Sequence, residues 1–193
     1  MGTVPLVGTP ARRTGLTTPL VFPAVEVCNV RMAKTVGYML TCTTYGTWLQ
    51  GKEPGYVKDG RTRGENVALK TDCEKKLRES PVHLRSKDRE MVREAILAAA
   101  GRFKQNIPAV AVCSNDVDVV CEYVDVPIGV VAGYYKNAGR KALEESGYQG
   151  RVWTKGYDKR SCFEHEGLEE RVRYVEAHRA AERRGWRGSA AGR

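Results

Sequence analysis

Asp116 and Asp118 flank a single valine in the run Asp116–Tyr123 (DVDVVCEY), and that spacing gives the pair its chemical interest. The run is dense in β-branched residues and reads as a strand, in which successive side chains turn to opposite faces. Val117, Val119, Cys121 and Tyr123 then share one face, read as core, and Asp116, Asp118, Val120 and Glu122 share the other. Two carboxylates side by side at one end of a sheet are costly in a low dielectric unless a cation or solvent intervenes. Oxygen donors of this kind suit Mg²⁺ or Mn²⁺. Equally, two acids serve to solvate an exposed strand face, and the residues alone leave both readings open.

A second pair lies near the carboxyl end. Tyr174 and His178 are four residues apart and stack on one face of a helix, beside the apolar stripe Leu168, Val172, Val175. A tyrosine in that setting is either a packing residue with a wet hydroxyl or a nucleophile. The histidine is either a surface or capping residue or a ligand.

The elements that must position these residues follow from periodicity and breakers. Val36–Trp48 (VGYMLTCTTYGTW) reads as a first strand ending at Gly46. The stretch 51–80 carries Gly, Lys and Asp without periodicity and reads as a long excursion. Ser86 is expected to cap a helix on which Val92, Ala95, Ile96, Ala99 and Phe103 recur at helical spacing, running to Pro108. Ala109–Cys113 and Val117–Tyr123 form a hairpin around Ser114 and Asn115. Pro127 opens a second helix lined by Val131, Tyr135, Ala138 and Ala142 and stopped by Gly147. Val152–Phe163 supplies a fourth strand kinked at Gly156, and Leu168 begins the third helix. The order βαββαβ followed by α predicts an α+β, ferredoxin-like split βαβ domain, a four-stranded antiparallel sheet covered on one face by two helices, with an extra C-terminal helix. The second face of the sheet is expected to stay open for a ligand.

Composition limits the partners. A chain of 193 residues holds one ordinary domain with some tail. Its formal charge of +9, from 32 Lys and Arg against 23 Asp and Glu, suits a polyanion. The expected organisation is a disordered extension over 1–34, a domain over 35–180 and a basic tail over 181–193. Translation starting at Met32 would account for the extension. Six cysteines without a C-x-x-C pair point to a reduced, cytoplasmic setting, with Cys113, Cys121 and Cys162 as small buried hydrophobes. No apolar run is long enough for a bilayer, so no membrane role is expected. Lys155, Lys159 and Arg160 on the fourth strand, and Lys136, Arg140 and Lys141 on the second helix, are candidate phosphate contacts. Tyr45, Tyr157, Trp48 and Trp153 are candidates for stacking on unpaired bases, with core packing the alternative for the tryptophans.

The stretches Gly37–Gly51 (GYMLTCTTYGTWLQG), Ser114–Val120 (SNDVDVV), Pro127–Lys136 (PIGVVAGYYK) and Val152–His178 (VWTKGYDKRSCFEHEGLEERVRYVEAH) resemble REP-associated tyrosine transposases and related small insertion-sequence transposases of the HUH type. The resemblance covers most of 36–180. In that family a strand carries His-hydrophobic-His as metal ligands and a later helix carries one nucleophilic tyrosine. Asp116-Val117-Asp118 stands at the histidine-pair position, Tyr174 matches the tyrosine, and His178 matches a position that completes the metal site. The resemblance implies a divalent metal, Mg²⁺ or Mn²⁺, and single-stranded DNA with hairpin ends as partner. It also implies attack of the tyrosine on a phosphodiester to give a 5′-phosphotyrosine, and a possible homodimer. Replacing both imidazoles by carboxylates adds negative charge where DNA phosphate must approach. The alternative implied is therefore a domesticated, catalytically inactive protein that binds single-stranded nucleic acid.

Overall fold

Strand β1 (Gly37–Thr43) is the hub of the computed structural model, because both of its edges are paired. Residues 34–190 are described, apart from 54, 59 and 60; the expected N-terminal extension lies outside them save for its last residue, as do 191–193. The remaining sheet strands are β4 (Ala109–Val112), β5 (Asp116–Glu122) and β6 (Asp158–Cys162). They lie in the order β4-β5-β1-β6, antiparallel throughout. With helix α2 (Ser86–Gly101) between the first two and α3 (Ile128–Glu145) between the last two, this is the ferredoxin-like split βαβ arrangement.

One face of the sheet follows the expected pattern. Leu40, Val110, Val117, Val119 and Cys121 point to α2 and α3, where Val92, Ile96, Val131, Tyr135 and Leu143 complete the main core. The two helices approach closely at Gly139, where an added Cβ would stand 3.1 Å from Trp153 and 3.2 Å from Val92. Burial of the aliphatic set is the chief source of stability here, at about 1.5–3 kcal/mol for each fully enclosed side chain.

The other face corrects the sequence reading. It is not open: α4 (His165–Ala190) lies across it, and Leu168 and Val175 pack with Met39, Ala109, Ala111, Val120 and Cys162 into a second core. The cause is visible in β4 and β5. Ala109, Val110 and Ala111 are buried in succession, as are Val117–Cys121, so these strands are enclosed on both sides. Gly37 admits α4, since a Cβ there would stand 2.7 Å from Leu168 Cδ1 and 2.7 Å from the Cys121 carbonyl.

Several boundaries move. The first strand ends at Thr43, and Thr44 joins Trp153 through an isolated bridge. Gly46 is in the left-handed region at φ 73° and turns the chain. The stretch 51–80 is partly ordered, as a hairpin of β2 (Tyr56–Lys58) and β3 (Arg61–Arg63) followed by α1 (Val67–Lys75), capped by Asn66. Ser86 is the first residue of α2 and not its cap; Arg85 holds that place, and its backbone N–H donates to Asp88 Oδ2 at 3.1 Å. That helix ends at Gly101, not Pro108, because the Gln105 N–H turns back to the Ala100 carbonyl at 3.1 Å. The final strand begins at Asp158, so Lys155 lies in the preceding bend. Helix α4 continues through the expected tail to Ala190. Among the described residues no helix is long and apolar enough to cross a membrane.

Candidate active site

The site forms where α4 runs along β5 in the opposite direction. Two strand residues advance by about 6.7 Å and one helical turn by about 5.4 Å, so partners keep rough step over a short distance. Val175 meets Val120, His178 meets Asp118, and Glu182 reaches the level of Asp116 and the β4–β5 turn. The apolar stripe of α4 thereby fixes its polar continuation against the acidic half of the strand.

Asp118 is 3% exposed, and both of its oxygens are engaged. Thr41, directly opposite on β1, donates to Oδ1 at 2.6 Å, and His178 Nδ1 lies 3.1 Å from Oδ2. A carboxylate opposite Nδ1 sets the tautomer, so the ring hydrogen sits on Nδ1 and donates. Tyr174 stacks on the same imidazole, ring centroids 5.5 Å apart, and is half exposed.

Asp116 lines a cleft of about 290 Å³ with Cys113, Asn115, His178, Ala181 and Glu182. Burial raises its carboxyl above the ordinary range, and the neighbouring Asp118 adds to the shift. Its Oδ1 is buried without a hydrogen-bond partner. The Cys113 thiol is pushed up strongly by burial and by Asp116, which keeps it a neutral thiol. Glu182 closes the cleft by accepting from Arg89 at 2.6 Å and from the Ser114 N–H at 3.2 Å.

The donor types of Asp116, Asp118 and His178 suit a hard divalent ion, but their arrangement does not. Asp118 and His178 hydrogen-bond to each other, and the remaining Asp118 oxygen is held by Thr41. Among the described residues no three His, Cys, Asp or Glu side chains come together in a way that would hold a metal ion.

The other expected contacts divide. Lys136 is engaged within the protein, its ammonium donating to the carbonyls of Thr154 at 2.7 Å and Gly156 at 2.6 Å; burial lowers its pKa. Arg140 pairs with Glu144 and donates to Asn137 at 3.0 Å along α3. Lys141, Lys155, Lys159 and Arg160 are exposed, with Lys159 over the Tyr38 ring and Arg160 3.6 Å from Asp158. Tyr45 is not a stacking surface, because its ring is in the main core and its hydroxyl accepts from the Arg78 N–H at 2.9 Å. Trp153 is a core residue whose Nε1 donates to the Lys136 carbonyl at 2.7 Å, whereas Trp48 and Tyr157 are exposed. Cys113, Cys121 and Cys162 are buried, free thiols.

Sequence reasoning missed Thr41, Cys113 and Glu182. Glu182 carried a signal, standing one helical turn beyond His178, but Thr41 becomes a partner only through the β1–β5 register.

No protein-family model matches the chain, and no curated protein matches it. Among solved structures it is similar to a REP-associated tyrosine transposase bound to a REP hairpin, at 11% identity and a TM-score of 0.46. The match covers 74% of this chain and 65% of that one, so the chain spans just under two thirds of that transposase. It is also similar to a candidate transposase from Deinococcus radiodurans R1, at 13% identity and a TM-score of 0.39, over 75% of this chain and 91% of that one.

Proposed function

We propose that this protein is a single-tyrosine transposase, or a descendant of one, that binds, nicks and joins single-stranded DNA with hairpin-like ends. The observation that carries the reading is the seating of Tyr174 and His178 by α4 beside Asp118 of β5, the constellation that the family resemblance implies. In the reaction the Tyr174 phenolic oxygen attacks the phosphorus of a phosphodiester. A tyrosine O–P bond forms, the bond to the 3′-oxygen breaks, and that oxygen leaves as a 3′-hydroxyl after taking up a proton. Attack by a 3′-hydroxyl on the phosphotyrosine reverses the step and joins a new end. Half exposure of Tyr174 supports this role, since the hydroxyl must reach a macromolecular substrate. The divalent ion is not carried into the reaction, because Asp118 and His178 are engaged with each other.

The test incubates the full chain with single-stranded oligonucleotides drawn from inverted repeats beside its gene. A covalent adduct on a denaturing gel, abolished by Tyr174→Phe, is the expected result. Firm, salt-sensitive binding of cognate DNA without an adduct would instead establish the binding-only reading, which the internal pairing of Asp118 and His178 favours. A homodimer belongs to the same proposal and is checked by sedimentation of the free protein.

A further inference from the structure

We infer that Thr41, Asp118 and His178 form a hydrogen-bonded relay that takes the place of a divalent-ion site, fixing the His178 ring so that Nε2 meets a DNA phosphate without a metal. The phosphate contact rests on the DNA-acting reading above; the relay does not.

The argument begins with the position of Asp118. Its carboxylate is enclosed between the sheet and α4, and its two oxygens have partners from two different elements, Thr41 of β1 and His178 of α4. A cation seated on Oδ2 would compete with His178 Nδ1 for the same oxygen. A buried carboxylate held by a hydroxyl and an imidazole is satisfied within the protein.

The rest of the cleft is balanced in the same way. Glu182, the other carboxylate that α4 brings in, is held by Arg89 from α2 and by the Ser114 N–H from the β4–β5 turn. Asp116 alone retains a carboxyl oxygen without a partner. With Nδ1 fixed to Asp118, the remaining ring nitrogen of His178 is the one with coordination to offer, and the ring itself borders the cleft. Thr41 and Asp118 are thus positioning residues, acting through the imidazole, and His178 is the group that touches substrate.

A competing arrangement recruits a metal jointly through Asp116 and a DNA phosphate, and the experiment separates the two. Histidine-ring ¹H–¹⁵N spectra are recorded on the full chain, the His178 signals being identified by their loss in His178→Gln. The relay predicts that Mn²⁺ leaves the His178 signals sharp. It further predicts that Asp118→Asn and Thr41→Val each shift the Nδ1 resonance, while Thr41→Ser, which keeps the hydroxyl, restores it. Binding of single-stranded DNA is expected to be the same in EDTA as in Mg²⁺.

Selective broadening of the His178 signals by Mn²⁺, removed by Asp118→Asn, would overturn the inference. So would a loss of DNA affinity of about tenfold or more in EDTA, the scale set by disturbing a working metal shell. An Nδ1 resonance unmoved by Asp118→Asn would exclude the relay itself. Failure of the DNA-acting reading has a different signature, an absence of DNA binding in either buffer, and leaves the ring spectra as the test of the relay.

Discussion

Asp116 and Asp118 stand two residues apart on one strand face, yet their surroundings separate them. Asp118 has a donor on each oxygen, while Asp116 is driven upward by burial and by Asp118 and keeps one oxygen without a partner. A carboxyl whose folded pKa exceeds its unfolded value binds more protons in the folded state through the window between the two. Stability therefore falls as pH rises from the ordinary carboxylate range through that raised value, and is level above it. Asp116→Asn removes this contribution and is expected to flatten the profile in that window. Urea unfolding at stepped pH checks this, and a fall equally steep in the variant would show that the burden lies elsewhere. Asp88 provides a contrast of opposite sign. Burial acts to raise it, but hydrogen bonds and charge from Arg85 hold it below the ordinary range, so its contribution is lost as pH falls through the lowered value.

At the scale of elements, α4 decides whether a site exists, because it covers the sheet face that carries the acids. Leu168→Ala removes a buried anchor of the second core and is expected to cost about 2–5 kcal/mol, measured by denaturant unfolding. Gly37→Ala tests the same contact from the sheet side: a Cβ 2.7 Å from Leu168 Cδ1 and from the Cys121 carbonyl requires the helix or strand to shift. The expected result is a destabilised protein whose His178 environment changes by NMR. An unchanged spectrum would mean that α4 yields without disturbing the site.

This element also marks the limit of what the sequence makes legible. The hairpin of β4 and β5, the helix from Pro127 and the stripe Leu168, Val172, Val175 all follow from periodicity and breakers. The destination of that stripe does not, because the face it covers is acidic at Asp116 and Asp118 and apolar only at Val120, with Met39 and the alanines of β4 supplied from other strands. A continuous apolar run in β4 was the available sign of burial on both sides. Helix α1 stays hidden because none of its residues is buried, and a helix without an apolar face has no periodic signal to find. In the site, Asp116, Asp118, Tyr174 and His178 are legible from spacing, whereas Thr41 enters through strand register.

For the whole molecule, the question is which of the excess positive charges face a polyanion. The formal charge of +9 is distributed unevenly, and several basic groups already have partners inside the protein. Lys136 ties α3 to the approach of β6 through two carbonyls, so Lys136→Ala is expected to lower stability, measured by thermal unfolding, more than it lowers the salt dependence of DNA binding. Lys159 and Arg160 are exposed on β6, where Lys159 rests over Tyr38 and Arg160 has only a loose pairing with Asp158. If these two contact phosphates, replacing each by Ala weakens binding across all sequences and reduces the slope of log affinity against log salt by about 0.7 for a single strand. Stability should stay within about 0.5 kcal/mol of the parent, as for other exposed substitutions. Fluorescence anisotropy of a labelled single strand across a salt series distinguishes the cases. A slope unchanged in Lys159→Ala and Arg160→Ala would move the DNA path off β6 and leave the cleft beside α4 as the remaining point of contact.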